Sequence, residues 1–300
     1  MNIRILRVVN LVVGAGLTLA LSACVPSEVA SGLGGIIPVS SPVPVGGLIQ
    51  SGAAVAKSLE NFTAEEEHYI GRAVAANLLS QYPPLANSQS NRYLNLLGQS
   101  LARHSNRPET FGGYRFQLLD SAEVNAFAAP GGLILVTRGL ARCATTEEEL
   151  AAVLAHEIAH VNLSHGIKTI KSARRGQALA TIGSLAASQA PLPSQLSAWS
   201  SYFSGAVGDI LQELTVKGYS RSAEFEADKT AQAILERAGY PQSALAAVLE
   251  NMAPRVASGA GFGRTHPPAV ARRKALGGSA DIPANSVRQA RFETAMKSIL

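Results

Sequence analysis

Cysteine is nearly absent. The 300 residues hold two, Cys24 and Cys143, which leaves no basis for a fold stapled by disulfides. Aromatic residues make up only 5%, and Lys and Arg never gather into a long run, so a nucleic-acid-binding surface has little support. The formal charge of +5 is modest and spread along the chain. The basic segments Lys168–Arg175 and Arg272–Lys274 are expected to be solvated helix faces. No apolar run reaches the roughly 20 residues that a spanning helix needs. Val8–Leu21 falls short, and Ala178–Ala190 is both short and rich in Ser and Gln. With 47% hydrophobic and 16% charged residues, the chain has the composition of a globular protein that can bury a sizeable core.

The first two dozen residues read as an address. Arg4 and Arg7 precede the apolar stretch, and small residues Ser22 and Ala23 follow it, the pattern of a secretory signal. Leu21-Ser22-Ala23-Cys24 resembles the bacterial lipobox, in which the cysteine becomes the lipidated first residue. The expectation is a signal peptide over 1–23 and lipidation at Cys24. Val25 stands where an Asp typically marks inner-membrane retention, so the expected destination is the periplasmic face of the outer membrane. Cys143 is then alone, a small buried filler just before a helix. Residues 24–60 are rich in Gly, Pro, Ser and Val without periodicity and read as a flexible tether.

The folded part is expected over 61–280, with 281–300 a short polar tail ending in a helix-like stretch. Thr63 and Glu66 form a capping box opening a helix to about Ser80, and a second helix is predicted over Ser88–His104. Three β-type runs follow, Tyr114–Asp120, Glu123–Ala128 and Leu133–Thr137, the last two flanking the turn Pro130-Gly131-Gly132. Thr146 can cap a helix that begins Glu147-Glu148-Glu149, runs to about Ser164 and ends at Gly166. Further helices are predicted at about 167–189, 205–217, 221–238, 242–253 and 268–276. The fold class is α+β, mostly helical with a small antiparallel sheet.

The chemistry concentrates at His156-Glu157-Ile158-Ala159-His160. Four residues apart on a helix, the two imidazoles share a face and can reach one metal ion. Zinc accepts such nitrogens and in catalytic sites keeps a position open for water. Glu157 lies beside that face, placed to take the water's proton. A third ligand must come from elsewhere. Leu163 and Gly166 stand where an extended motif would carry Gly and His, and His165, one position off, reads as a surface or capping histidine. Downstream, Glu224 and Asp228 are four apart on a predicted helix. Glu224 could ligate zinc while Asp228 accepts a hydrogen bond from a ligand histidine. Spacing alone leaves that pair equally an ordinary helix face. Glu226 points away and should be solvated.

Four segments in order carry a resemblance: Asn125–Ala128 with Pro130-Gly131-Gly132, Glu149 through Glu157, Ser220 through Asp228, and Thr265-His266-Pro267-Pro268. Over roughly residues 60–280 the chain resembles the HtpX / CAAX prenyl protease-type zinc metallopeptidase family, in its periplasmic BepA/LoiP-like lipoprotein branch. The resemblance implies a gluzincin-type domain, one Zn2+ per chain, Glu224 as the third ligand, and Asn125–Ala128 as an edge along the active-site cleft. His266 resembles a histidine that can sit on the metal and hold such enzymes latent; read alone, it is a loop histidine capping the next helix. His266, Tyr219 and Arg221 are all candidate oxyanion donors.

The expected function is zinc-dependent endopeptidase activity on misfolded or misassembled envelope proteins, from a lipid anchor and without spanning helices. Partners are those substrate proteins and the membrane, not nucleic acid. The competing class is a chaperone-like lipoprotein whose latent zinc site binds extended chains. A structural zinc protein is the weakest option, because it would ordinarily supply four protein ligands and has no need of an acid beside the first histidine.

Overall fold

A computed structural model describes residues 62–170, 195–256 and 261–299, with backbone alone for 195–203. The signal peptide, Cys24, the tether, most of the helix expected at 167–189 and the apolar stretch 178–190 lie outside the described residues.

The capping box forms as the sequence predicts. The Thr63 hydroxyl accepts from the Glu66 amide at 3.1 Å, and Glu66 reaches back to the Thr63 amide at 2.9 Å. It opens α1 (Ala64–Gln81), and Asn87 caps α2 (Ser88–Arg103). The strands are β1 (Arg115–Leu119), β2 (Ala126–Ala129) and β3 (Leu133–Thr137). Then come α3 (Arg138–Ala141), α4 (Glu147–Asn162), and α5 (Gln195–Gln212), which runs into a π-helical turn at Glu213–Lys217. The chain continues through α6 (Arg221–Arg237), α7 (Ser243–Met252), α8 (Phe262–Thr265), α9 (Ala269–Leu276) and α10 (Ser286–Met296).

The sheet corrects one expectation. Its order is β1-β3-β2, and only the β2–β3 pair is antiparallel; β1 runs parallel to β3. The β2–β3 hairpin is local, closed by Gly131 and Gly132 at φ 76° and 94°, which side-chain-bearing residues rarely adopt. β1 has only a long connection to its neighbour, so its direction is not dictated by a turn. Both faces are buried, as a sheet with a parallel pair requires. Ala126, Ala128, Ile134 and Val136 face the core around α4, while Phe127, Ala129 and Leu135 face a second core shared with α1 and α5. The period-2 alternation of the strands thus becomes two hydrophobic layers.

α4 lies between the sheet and α6. Ala151, Ala152, Ala155 and Ala159 on α4, with Ala227 and Ala231 on α6, are fully buried, and small side chains let helix axes approach closely. At its start, the three acids expected to favour the helix N-terminus are all buried. Glu149 accepts from Thr145 and Asn251, Glu148 from Arg288, and Glu147 from Tyr93, Tyr240 and Arg291. Arg288 and Arg291 belong to α10, so the segment read as a polar tail folds back onto the site helix, with Phe292 and Met296 fully buried. Cys143 is free and buried. Among the described residues no helix is long and apolar enough to cross a membrane.

Candidate metal centre

The centre lies where α4 crosses α6. His156 and His160 present their Nε2 atoms to each other at 3.1 Å, one helical turn apart. From α6, Glu224 lies with Oε2 3.6 Å from His156 Nε2 and Oε1 3.5 Å from His160 Nε2. His266, at the C-terminus of α8, brings Nδ1 to 2.8 Å from Glu224 Oε2. Ligand atoms of all four residues lie within 4.8 Å of one another, and all four are buried. Glu157 is buried beside them on α4.

The donor set suits a metal ion. Two imidazole nitrogens face each other with no protein donor between them, and Glu224 Oε1 is buried without a hydrogen-bond partner. A buried acceptor left in that state is costly, and a divalent cation bound by nitrogen and carboxylate would satisfy all three.

Asp228 and Arg272 orient the first histidine. Asp228 Oδ1 lies 3.0 Å from His156 Nδ1, and Arg272 grips both Asp228 oxygens, Nε at 3.0 Å and Nη2 at 2.5 Å. Arg272 Nη2 is also 3.1 Å from His156 Nδ1, but that nitrogen cannot accept from Arg272 while donating to Asp228. The carboxylate is the shared acceptor; the His156 proton then sits on Nδ1 and frees Nε2 for the cluster. The expectation that Arg272 is solvated is therefore wrong. It is 1% exposed and lies over the Phe262 ring at 5.3 Å.

The electrostatics sort these groups. Burial and Arg272 press the His156 imidazole down, yet the Asp228 and Glu224 carboxylates prevail and raise it to about 9. His160 is held well below its ordinary value by burial, against the pull of Glu224. Burial opposes ionisation of Glu224 too, but the surrounding histidines hold it well below the usual carboxylate range. Burial lifts Glu157, the direction that suits a group exchanging protons near neutral pH. It also holds His165 low.

His165 departs from expectation as well. It is 4% exposed, not on the surface, and its Nδ1 lies 2.9 Å from His160 Nδ1. The helix does not run on to Gly166. It ends at Asn162, Ser164 takes φ 53°, and a new helical segment begins at 165. That turn swings His165 back beneath His160. Ser164 gives no hint of it, being neither Gly nor Asn.

Among the oxyanion candidates, Arg221 is exposed. The Tyr219 ring stacks on His160 at 4.5 Å, and its buried hydroxyl has no hydrogen-bond partner. His266 stacks on Phe262 at 4.0 Å. Its loop is held close because Gly218, at φ 73°, abuts Thr265; a Cβ there would come within 2.0 Å of the Thr265 carbonyl oxygen.

Residues 88–280 match the profile of the family described as Peptidase family M48. The chain belongs to this family. Over 187 residues it is 27% identical to the beta-barrel assembly-enhancing protease of Escherichia coli (strain K12), a match covering 62% of this chain and 37% of that protein. The putative beta-barrel assembly-enhancing protease of Vibrio cholerae is 33% identical over 187 residues, 61% of this chain and 37% of that protein. Metalloprotease LoiP of E. coli is 29% identical over 169 residues, 56% and 61%. The match spans little more than a third of the length of the beta-barrel assembly-enhancing proteases. Membership of family M48 implies a metal, typically zinc, and α4 and α6 carry the M48 chain's histidine and carboxylate cluster.

Proposed function

We propose that this chain is a zinc-dependent endopeptidase. By this reading it is tethered through Cys24 at the periplasmic face of the outer membrane and degrades misfolded or misassembled envelope proteins. The observation that carries the reading is the buried meeting of His156, His160 and Glu224 with Glu157 beside them. Similarity to proteases whose names speak of β-barrel assembly supports the substrate class.

His156, His160 and Glu224 would hold one Zn2+, with Asp228 fixing the tautomer of His156. Bound there, zinc supplies a Lewis acid that polarises a scissile carbonyl and acidifies a water. The Glu157 carboxylate accepts a proton from the attacking water and later delivers it to the departing amide nitrogen. Tyr219 Oη has no other partner and can donate to the developing oxyanion. The outer edge of β2, at the end of the sheet, would receive an extended substrate strand.

The test is cleavage of casein by wild type and Glu157→Gln, with zinc measured on both. Loss of a general base typically costs 10²–10⁴-fold. Cleavage by wild type alone, with zinc in both, supports the reading; no zinc in either would overturn it. The second reading, a latent chaperone-like lipoprotein, is favoured by the contact of His266 with Glu224 at 2.8 Å. Zinc in both without cleavage in either would select it.

A further inference from the structure

The two metal-binding histidines of the proposed centre are supported unequally. His156 rests on a carboxylate clamped by an arginine. His160 has no carboxylate on its far nitrogen; it has another histidine. We propose that His165 and Glu226 form a positioning chain for His160, in which His160 Nδ1–H donates to His165 Nδ1 and His165 Nε2–H is turned toward the Glu226 carboxylate.

The proton placement follows from geometry. His160 Nε2 faces His156 Nε2 and Glu224, so it must offer a lone pair to any metal held there, and the ring proton falls on Nδ1. The atom 2.9 Å away is His165 Nδ1. Two nitrogens at that distance share one proton, so His165 Nδ1 is the acceptor and its own proton is on Nε2. That Nε2 is buried and has no hydrogen-bond partner, with Glu226 Oε2 3.6 Å away. The Glu226 side chain is 54% exposed and free to close the remaining gap. Glu226 sits two residues from Glu224 on α6, so one helix serves His160 twice, directly through Glu224 and at one remove through His165.

The structure around His165 is built to hold it. Ser164 at φ 53° turns the chain back, the His165 ring lies against those of His160 and Tyr219 at 4.9 and 5.4 Å, and a Cβ on Gly166 would press on Pro130 at 3.2 Å. A ligand imidazole whose far nitrogen donates to a fixed acceptor is locked in tautomer and orientation and becomes a better donor, and losing such a partner typically costs 10–100-fold in metal affinity.

The inference rests on the proposed zinc reading, and one experiment separates the two. Zinc affinity is measured by chelator competition on the full chain for wild type, His165→Leu, His165→Asn and Glu226→Ala. His165→Leu should bind zinc 10–100-fold more weakly. His165→Asn, whose carbonyl oxygen can take the place of Nδ1 as acceptor, should recover most of that loss. Glu226→Ala, which removes the acceptor at a half-exposed position that does not threaten folding, should weaken binding by a smaller factor. Wild-type affinity in His165→Leu, or equal affinity in the Leu and Asn variants, would make His165 a packing residue and end the proposal. Unchanged affinity in Glu226→Ala would remove Glu226 from the chain. If wild type itself holds no zinc, the metal reading and this inference fall together.

Discussion

Arg272 Nη2 lies 2.5 Å from Asp228 Oδ1, and that same oxygen lies 3.0 Å from His156 Nδ1. One buried arginine on α9 therefore sets the angle of an imidazole on α4 through a carboxylate on α6. The centre is not a property of the His-Glu-x-x-His helix alone. The orientation of its first histidine depends on two further elements, α6 and α9, of which α9 is the more remote in sequence.

Breaking that triad should be expensive. Arg272→Met takes the arginine from the buried Asp228 carboxylate and leaves it His156 alone; removing one partner of a buried ion pair typically costs about 3–5 kcal/mol. The urea midpoint of the zinc-free protein should fall accordingly. Adding Asp228→Leu should recover part of the loss, because the carboxylate that lost its arginine is then no longer buried. If the double variant is less stable than Arg272→Met, the coupling through Asp228 is not as described.

A second buried acid gives a pH signature. Burial works against ionisation of Glu147, but hydrogen bonds from Arg291, Tyr240 and Tyr93 hold its carboxyl below the usual range. With the folded value depressed, the stabilisation is complete above the unfolded value of about 4.3. It is lost as the pH falls through the folded value. Arg291 is half exposed, so its share is screened, and Glu147→Gln should cost about 2 kcal/mol at pH 7. The gap between variant and wild type in urea unfolding should narrow below about pH 4. A gap that stays constant with pH would assign the effect to packing alone.

Much of this was legible in the sequence, for stated reasons. Helix starts followed local chemistry, as at Thr63, Thr146 and Ser220, whose side chains cap the helices they open. The four-residue spacings His156–His160 and Glu224–Asp228 each keep both residues on one face, and the structure brings His156, His160 and Glu224 together. Long-range facts were not legible. Arg272 sits in a run of three basic residues that locally looks solvated, and nothing in that run points to Asp228, 44 residues earlier. His165 was misread because helical spacing was extended through Ser164, where the backbone leaves the helical conformation. The parallel pairing of β1 leaves no mark in a strand of five residues.

The anchor is tested away from the site. With lipid chains attached at Cys24, the protein should sediment with membranes and need detergent for release, since two acyl chains suffice for stable attachment. Cys24→Ser should shift it to the soluble fraction. A variant that still sediments with membranes and needs detergent would show that attachment does not run through Cys24.

The proposed latency turns on His266. Its Nδ1 is within 2.8 Å of Glu224 Oε2, and its nitrogens share the space of the proposed metal ligands. A fourth protein donor closes the position that a catalytic centre leaves open for water and substrate. His266→Ala removes that donor and its contact with Glu224 but leaves His156, His160 and Glu224 themselves in place, so zinc content should be retained. The casein cleavage rate should rise. The alternative role makes the opposite forecast: if His266 donates to the oxyanion, its loss should lower the rate by about 10²–10³-fold. A rise in rate with zinc retained would establish His266 as the brake, and a fall would make it part of the catalytic machinery. An unchanged rate would exclude both roles and leave a loop histidine stacked on Phe262.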